Sequence, residues 1–192
     1  GYNEAFITYV LPVSSPTHPI SRKASDHWTS GPDYQTRIVS EYVIEASPSC
    51  GAPLFLAHYP FIGMNPRKMA DDFVPNGYFV RCLNQTLANR GYCLYEAPEE
   101  NRYAENFWGR TASHTKAGYR ASSPCNDNGT VAPTAAISSI PFTPHYSTQV
   151  LLNLAGNLRK RVWGEFGPYD AVSLRDDWVS DNYLAIDQLP MV

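Results

Sequence analysis

The sequence predicts a mainly α-helical domain with long loops and one small β-hairpin. Apolar residues recur at helical spacing in several separate segments; the clearest is 75–96, where Phe79, Leu83, Leu87 and Cys93/Leu94 fall close to one face. A single stretch, QTRIVSEYVIE (35–45), alternates and is β-branched, as a strand or hairpin arm requires. Residues 98–130 are rich in Pro, Gly, Asn, Ser and Thr. That is long for a structureless connection, and such loops are functional or disordered; Tyr103, Trp108 and Tyr119 within it favour function. The chain of 192 residues is long enough for one domain with a real core.

In chain order, residues 2–13 place Phe6, Tyr9, Val10 and Val13 near helical spacing, and two prolines in SSPTHPIS break that helix. Residues 21–29 predict a short helix carrying Trp28. After the hairpin, SPSCGAP reads as a turn. LFLAHYPFIGM (54–64) fits helix or strand, with Pro60 limiting either. A further helix is expected from Asn65 through Phe73. Beyond the long loop, 132–140 predicts a small-residue helix. Residues 144–163 predict a long one with Val150, Leu151, Leu154 and Leu158 inward. A last helix starts near 182, with Ser180 or Asp181 as its cap. Six or seven helices in pairs suggest part of an α/α arrangement.

A net charge of -3 with no basic cluster argues against nucleic acid or an anionic membrane as partner. No apolar run approaches the roughly 18 residues of a spanning helix. The five histidines form no HxxxH or HExxH pattern, so no metal or cofactor is expected. The four cysteines, Cys50, Cys82, Cys93 and Cys125, fit no CxxC pattern. Cys82 and Cys93 share the expected helix about 16 Å apart, too far to bridge, and buried free thiols are the reading preferred for all four. The chain opens at Gly1 directly on a helical pattern and stops in an apolar element, as a piece of a longer chain would.

The densest chemistry lies in WGEFGPYDAVSLRDDWVSDNYLAIDQLP (163–190). Its acids stand between Trp163, Phe166, Tyr169, Trp178 and Tyr183, and the run has no lysine. Aromatic faces stack on sugar C–H groups while carboxylates hydrogen-bond hydroxyls, so this composition suits a neutral, hydroxyl-rich ligand; an acidic surface loop is the plainer alternative.

Six ordered blocks extend that reading: GYNEAFITYVLPVSSPTHPI, APLFLAHYPFIGMNPR, NQTLANRGYC, FWGRTASH, DNGTVAPTAAISSIPFTP and WGEFGPYDAVSL…NYLAIDQLPMV. Together they resemble the glycoamylase-like domain of bacterial glycoside hydrolases, on its endo-β-1,2-glucanase branch. The resemblance implies an (α/α)6 toroid about twice this length, of which the chain is the C-terminal half, with the N-terminal half as its missing partner. It also implies a periplasmic or secreted protein that hydrolyses β-glucan, most simply β-1,2-linked, with inversion. Inversion requires two carboxyl groups roughly 6.5–9.5 Å apart.

Glu4 matches the family's Gly-x-Asn-Glu motif and is the expected general acid, with dipole complementation at a helix start as the plainer role. Asp187 is the first choice for base and Asp170 the second. An acid among Leu184, Ala185, Ile186 and Leu189 is either functional or a buried anchor, and Asp170 could equally cap a turn. His58, Tyr59, Trp108, Arg110 and Asp127 are expected to line the cleft, set against ordinary core and turn roles; for His58 a satisfied core histidine is favoured. Glu165, Tyr169 and Gln188 are expected to bind sugar hydroxyls or stack on rings. Three positions depart from the family pattern: His114, itself expected to contact the substrate, stands where Asp follows Thr-Ala-Ser, Leu189 where Gly precedes Pro, and Pro168 at an aromatic or aliphatic position. A transglycosylase of the same fold, or a glucan-binding paralogue without chemistry, are the competing readings.

Overall fold

The structure, a computed structural model, describes residues 4–191, and of Glu4 the backbone alone. A 3-10 turn (Glu4–Phe6) leads into helix α1 (Ile7–Val13), which carries Pro12 in its last turn. Helix α2 (Lys23–Thr29) follows, and then the expected hairpin of β1 (Gln35–Val39) and β2 (Tyr42–Ser47). Its two turn residues, Ser40 and Glu41, both have positive φ, 44° and 72°, the backbone of a two-residue turn that matches strand twist. Residues 54–64 resolve as helix: α3 (Phe55–His58), then a 3-10 turn (Tyr59–Phe61) opened by Pro60.

The helix expected over 65–73 shrinks to one 3-10 turn, Pro66–Lys68. Asp71 explains the stop. Its Oδ1 accepts from the backbone N–H of Phe73 (2.9 Å) and Val74 (2.8 Å), offering those donors a turn instead of a helical carbonyl.

Helix α4 (Tyr78–Gly91) and the π-turn after it (Tyr92–Glu96) occupy the predicted span, but a different face is inside. Leu83, Leu87 and Leu94 are only half-buried, whereas Arg81, Gln85 and Asn89 are buried in one i, i+4, i+8 row. Arg81 serves strand β2, and Gln85 and Asn89 serve irregular chain. Arg81 Nε donates to Glu45 O (3.0 Å), Gln85 Nε2 to Pro53 O (3.0 Å) and Asn89 Nδ2 to Arg110 O (3.2 Å). Buried carbonyls outside regular structure need such donors, so a polar stripe faces inward where periodicity placed the leucines.

Where one strand pair was expected, four two-stranded antiparallel sheets occur among the described residues. The later three are β3 (Ser113–Thr115) with β4 (Gly118–Arg120), β5 (Trp163–Gly164) with β6 (Gly167–Pro168), and β7 (Val172–Ser173) with β8 (Trp178–Val179). They are too short to show as periodicity. Between them lie α5 (Pro133–Ile137), buried throughout, and α6 (Pro144–Ala155). The helix predicted over 144–163 breaks at Gly156 and resumes as α7 (Arg159–Val162). Val150 and Leu154 are buried, with Leu151 and Leu158 packed against them. The last helix, α8 (Ala185–Gln188), is entered from Leu184 without a side-chain cap, so neither Ser180 nor Asp181 caps it.

Two apolar clusters result. One gathers Leu54, Phe107, Trp108, Val131, Val150, Leu154, Val162 and Val172 around α5. The other joins Phe6, Ala57, Phe61, Val74 and Tyr78. Gly109 lets α5 approach: at φ 121°, an added Cβ would stand 2.9 Å from the backbone nitrogen of Ala136.

The cysteine expectation is half corrected. Cys82 and Cys93 are buried free thiols, but Cys50 and Cys125 form a disulfide with Cα atoms 5.7 Å apart. Its two positions lie 75 residues apart in the chain, beyond the reach of spacing arguments, and closing such a loop constrains the unfolded chain by about 4 kcal/mol. No helix among the described residues is long and apolar enough to cross a membrane.

Candidate active site

Three separate segments deliver carboxyl and phenol groups to one place. The turn after α3 brings Tyr59, the segment before β7 brings Asp170, and α8 brings Asp187. Asp170 is completely buried and Asp187 is 5% exposed. Asp187 Oδ1 accepts from the Tyr59 hydroxyl at 2.9 Å, and that hydroxyl lies 2.7 Å from Ile186 O. Asp170 Oδ2 accepts twice from one residue, from the backbone N–H of His114 at 2.7 Å and from its ring Nδ1 at 2.9 Å. Asp170 therefore caps no turn of its own; it anchors to β3. Asp170 Oδ1 and Asp187 Oδ2 are buried without a hydrogen-bond partner among the described residues.

Electrostatics follow from that geometry. Burial pushes the Asp187 carboxyl up, the Tyr59 hydrogen bond pulls it down, and the charge and hydrogen-bonding proximity of Asp170 push it up again, to about 7. Burial and the Asp187 charge also push the Tyr59 hydroxyl far above its ordinary value, so it remains a donor. Tyr119 on β4 is raised by burial and by the charges of Asp187 and Asp170, which puts it beside the same pair. The charge of Asp170 adds to the cost of ionising Asp187, so Asp187 keeps its proton until pH approaches neutrality. A group that titrates there can take or give a proton at working pH.

The surroundings hold the pair in place. Gln188 Nε2 donates to Pro168 O at 2.9 Å, tying α8 to the β5–β6 hairpin. Beneath Asp187, a cavity of about 10 Å³ is lined by Phe55, His58, Tyr59, Thr111, Thr134, Ala135, Ser138 and Pro190. Thr134 Oγ1 and Ser138 Oγ are buried there without protein partners among the described residues, so the cavity floor is polar. On and after the β5–β6 hairpin, Tyr169 and Tyr183 pack at 5.1 Å, with Phe166 edge-on to Tyr183 at 5.5 Å and 70% exposed. Glu165, at the tip of the same hairpin, is exposed.

Other predicted site residues lie elsewhere. Arg110 is fully buried, and both terminal nitrogens of its guanidinium are engaged internally. It ion-pairs with Asp127 Oδ1 and donates to Tyr103 Oη (2.5 Å), Ser122 Oγ (2.7 Å) and Asn126 O (3.1 Å). Asp127 also accepts from Tyr92 (2.9 Å), Asn101 (2.9 Å) and the Gly129 N–H (2.8 Å). Trp108 is fully buried in the first cluster. The expectation that Trp108, Arg110 and Asp127 line a cleft is thus corrected: they pin the long 98–130 loop to the core, because a loop with so few apolar residues needs polar anchors. His58 is the satisfied core histidine, with Nε2 3.0 Å from Ser139 Oγ, and burial lowers it to about 3. The side chain of Glu4, the expected general acid, lies outside the described residues. In the sequence, Tyr119 and Tyr183 stand out only as aromatics in functional-looking segments, without a place in the site; aromatic richness is their signal. Among the described residues no cluster of His, Cys, Asp or Glu could hold a metal ion.

Comparison with known proteins places this arrangement. The Glycoamylase family model, described as "Putative glucoamylase", matches residues 1–192, and the chain belongs to that family. It is 32% identical, over its whole length, to an exo β-1,2-glucooligosaccharide sophorohydrolase (non-reducing end) from Parabacteroides distasonis, of which it spans 29%. It superposes on an endo-β-1,2-glucanase from Chitinophaga pinensis, in complex with sophorotriose and glucose, with a TM-score of 0.92 and 35% identity, covering 47% of that protein. A Bacteroides uniformis crystal structure with the same description as the family matches with a TM-score of 0.93 and 38% identity, again over 47% of its length. The chain thus spans less than half of these relatives.

Proposed function

We propose that this chain is the C-terminal part of an (α/α)6 toroid that hydrolyses β-1,2-glucan with inversion, and that Asp187, backed by Asp170, is its general base. The buried Asp170–Asp187 pair carries the reading. The raised proton affinity of Asp187 suits a base that must receive a proton from water, and Tyr59 orients the accepting carboxyl. Glu4 is the proposed general acid, and inversion requires its carboxyl to lie far enough from that of Asp187 to admit the attacking water. Tyr169, Tyr183, Phe166, Glu165 and Gln188 form the proposed sugar-contacting rim. The family membership and the two β-1,2-glucan-active relatives support the linkage. The half-buried leucines of α4 support a second half of the toroid packing alongside. The Cys50–Cys125 disulfide supports a periplasmic or secreted location, since such bonds persist in oxidising compartments.

Product analysis of the full-length protein on linear β-1,2-glucan tests this. Short oligosaccharides of inverted anomeric configuration are expected from the parent, with turnover lowered about 10²- to 10⁴-fold in Glu4→Gln and in Asp187→Asn. Undiminished products from Asp187→Asn would remove the base assignment. Glucan binding without products from the folded parent would favour a paralogue without chemistry.

A further inference from the structure

We propose that one water molecule is bound beneath Asp187, where it accepts from the hydroxyls of Thr134 and Ser138 and donates to Asp187 Oδ2, so that these two residues position the carboxyl through it. The site itself stands on packing; its consequence for turnover rests on the reading of Asp187 as base. Thr134 lies in the first turn of α5 and Ser138 directly follows the helix. The Ser138 N–H donates to Thr134 O at 2.8 Å, so the two side chains share one helix face. Both residues, with Asp187 on α8, line the same cavity of about 10 Å³. Each has a buried polar atom without a protein partner among the described residues: Thr134 Oγ1, Ser138 Oγ and Asp187 Oδ2. The three residues are 1%, 5% and 5% exposed.

Three such atoms around one small space have a common solution. A cavity of roughly 10–15 Å³ holds one water, and a buried water makes about three hydrogen bonds. Buried hydroxyls on other helical turns donate to the carbonyl four residues back, Thr86 to Cys82 O at 2.9 Å and Ser139 to Ala135 O at 2.8 Å. Thr134 and Ser138 do not. The other polar side chains of the wall are committed. Thr111 Oγ1 accepts from the Phe55 N–H at 3.1 Å, His58 Nε2 lies 3.0 Å from Ser139 Oγ, and the Tyr59 hydroxyl serves Asp187 Oδ1 and Ile186 O. Donors and acceptors then match: each hydroxyl gives one hydrogen to the water oxygen, which has two lone pairs, and the water gives one to the carboxylate. An unpartnered hydroxyl or carboxylate at this depth is destabilising, and a single water relieves all three.

The water supplies Asp187 with what its protein contacts leave out. The Tyr59 hydroxyl holds Oδ1 alone, and the torsion that turns an aspartate carboxyl about its Cβ–Cγ bond is broad, so one contact leaves the carboxyl plane free to turn. A second donor on Oδ2 fixes that plane. Each carboxylate oxygen keeps a further lone pair for a proton taken from the cleft. Thr134 and Ser138 act through Asp187 rather than on sugar, and so are positioning residues.

The site is tested by high-resolution electron density of the full-length protein, for the parent and for Thr134→Val combined with Ser138→Ala. A peak within about 2.7–3.2 Å of Thr134 Oγ1, Ser138 Oγ and Asp187 Oδ2 is expected in the parent, and none in the double variant. No peak in the parent, hydroxyls bonded directly to Asp187 or to backbone carbonyls, or a peak that survives the double substitution overturns the site. Turnover of β-1,2-glucan tests the role. Thr134→Val keeps the shape and removes the hydroxyl, and is expected to lower kcat about tenfold with KM unchanged. Thr134→Ser keeps the hydroxyl and should restore most of that loss. A raised KM with unchanged kcat, or Thr134→Ser no better than Thr134→Val, overturns the positioning role. The density needs no turnover. A folded parent that cleaves no glucan sinks the hydrolase reading and the kinetic role with it, while the water site is still decided.

Discussion

Asp127 and Asp187 are both carboxyls taken out of water, and their surroundings treat them in opposite ways. Burial pushes Asp127 up, but the charge of Arg110, the Gly129 N–H and the Tyr103 hydroxyl outweigh it and hold the acid below its ordinary range. Asp187 has one neutral donor and a second acid for company, and it rises to about 7. The first arrangement costs little and locks a loop; the second stores an electrostatic penalty within the fold. A buried acid raised toward neutrality is what proton transfer needs, whereas a fully paired one is inert. The contrast separates scaffold from site more sharply than burial does, since both groups are largely hidden.

The sharpest way to break the comparison is Asp127→Asn. It leaves the Arg110 charge buried without a counter-charge, and roughly 3–5 kcal/mol of stability is expected to vanish in denaturant unfolding. A loss below about 1 kcal/mol would mean that the hydroxyl and amide partners suffice and the ion pair is incidental.

Stability as a function of pH sharpens the comparison next. Asp187 binds its proton more tightly in the folded state, so its contribution is complete below the unfolded value near 3.8 and is lost as pH rises through about 7. Asp127 has the opposite sign: its contribution is present above 3.8 and is lost as pH falls through its depressed folded value. Removing the first acid with Asp187→Asn should therefore flatten the decline between about pH 4 and 7 and leave the acid side unchanged. A parent-like slope in that variant would put the strain on another group.

The smallest effect belongs to Tyr59→Phe, which deletes one neutral hydrogen bond to Asp187. About 1 kcal/mol of stability should be lost at pH 8, where the acceptor is ionised, and less at pH 5. Equal losses at both pH values would show that Ile186 O, not Asp187, is the partner that counts.

Much of this was legible in the sequence. The helical spans of α1, α2, α4, α5 and α6, the hairpin at 35–47 and the crowding of acids and aromatics after 163 all follow from local pattern. So does the burial of Asp187, an acid set among leucines, isoleucine and alanine, whereas its candidacy as base comes from the family resemblance. What local pattern could not reach is which side of an element faces inward and which distant groups meet. The leucine face of α4 gave way to Arg81, Gln85 and Asn89 because segments remote in sequence, strand β2 among them, needed donors for buried carbonyls. Arg110 and Trp108 carry the same residue types a cleft would use; only their burial assigns them to the core. Cys50 met Cys125, and His114 met Asp170, across 75 and 56 residues of chain. Periodicity reports a residue's own neighbours along the chain, and so it determined the elements. Desolvation and charge pairing depend on whatever packs opposite, so tertiary structure alone decided that one buried acid would be silenced by an arginine and another pushed up toward neutrality.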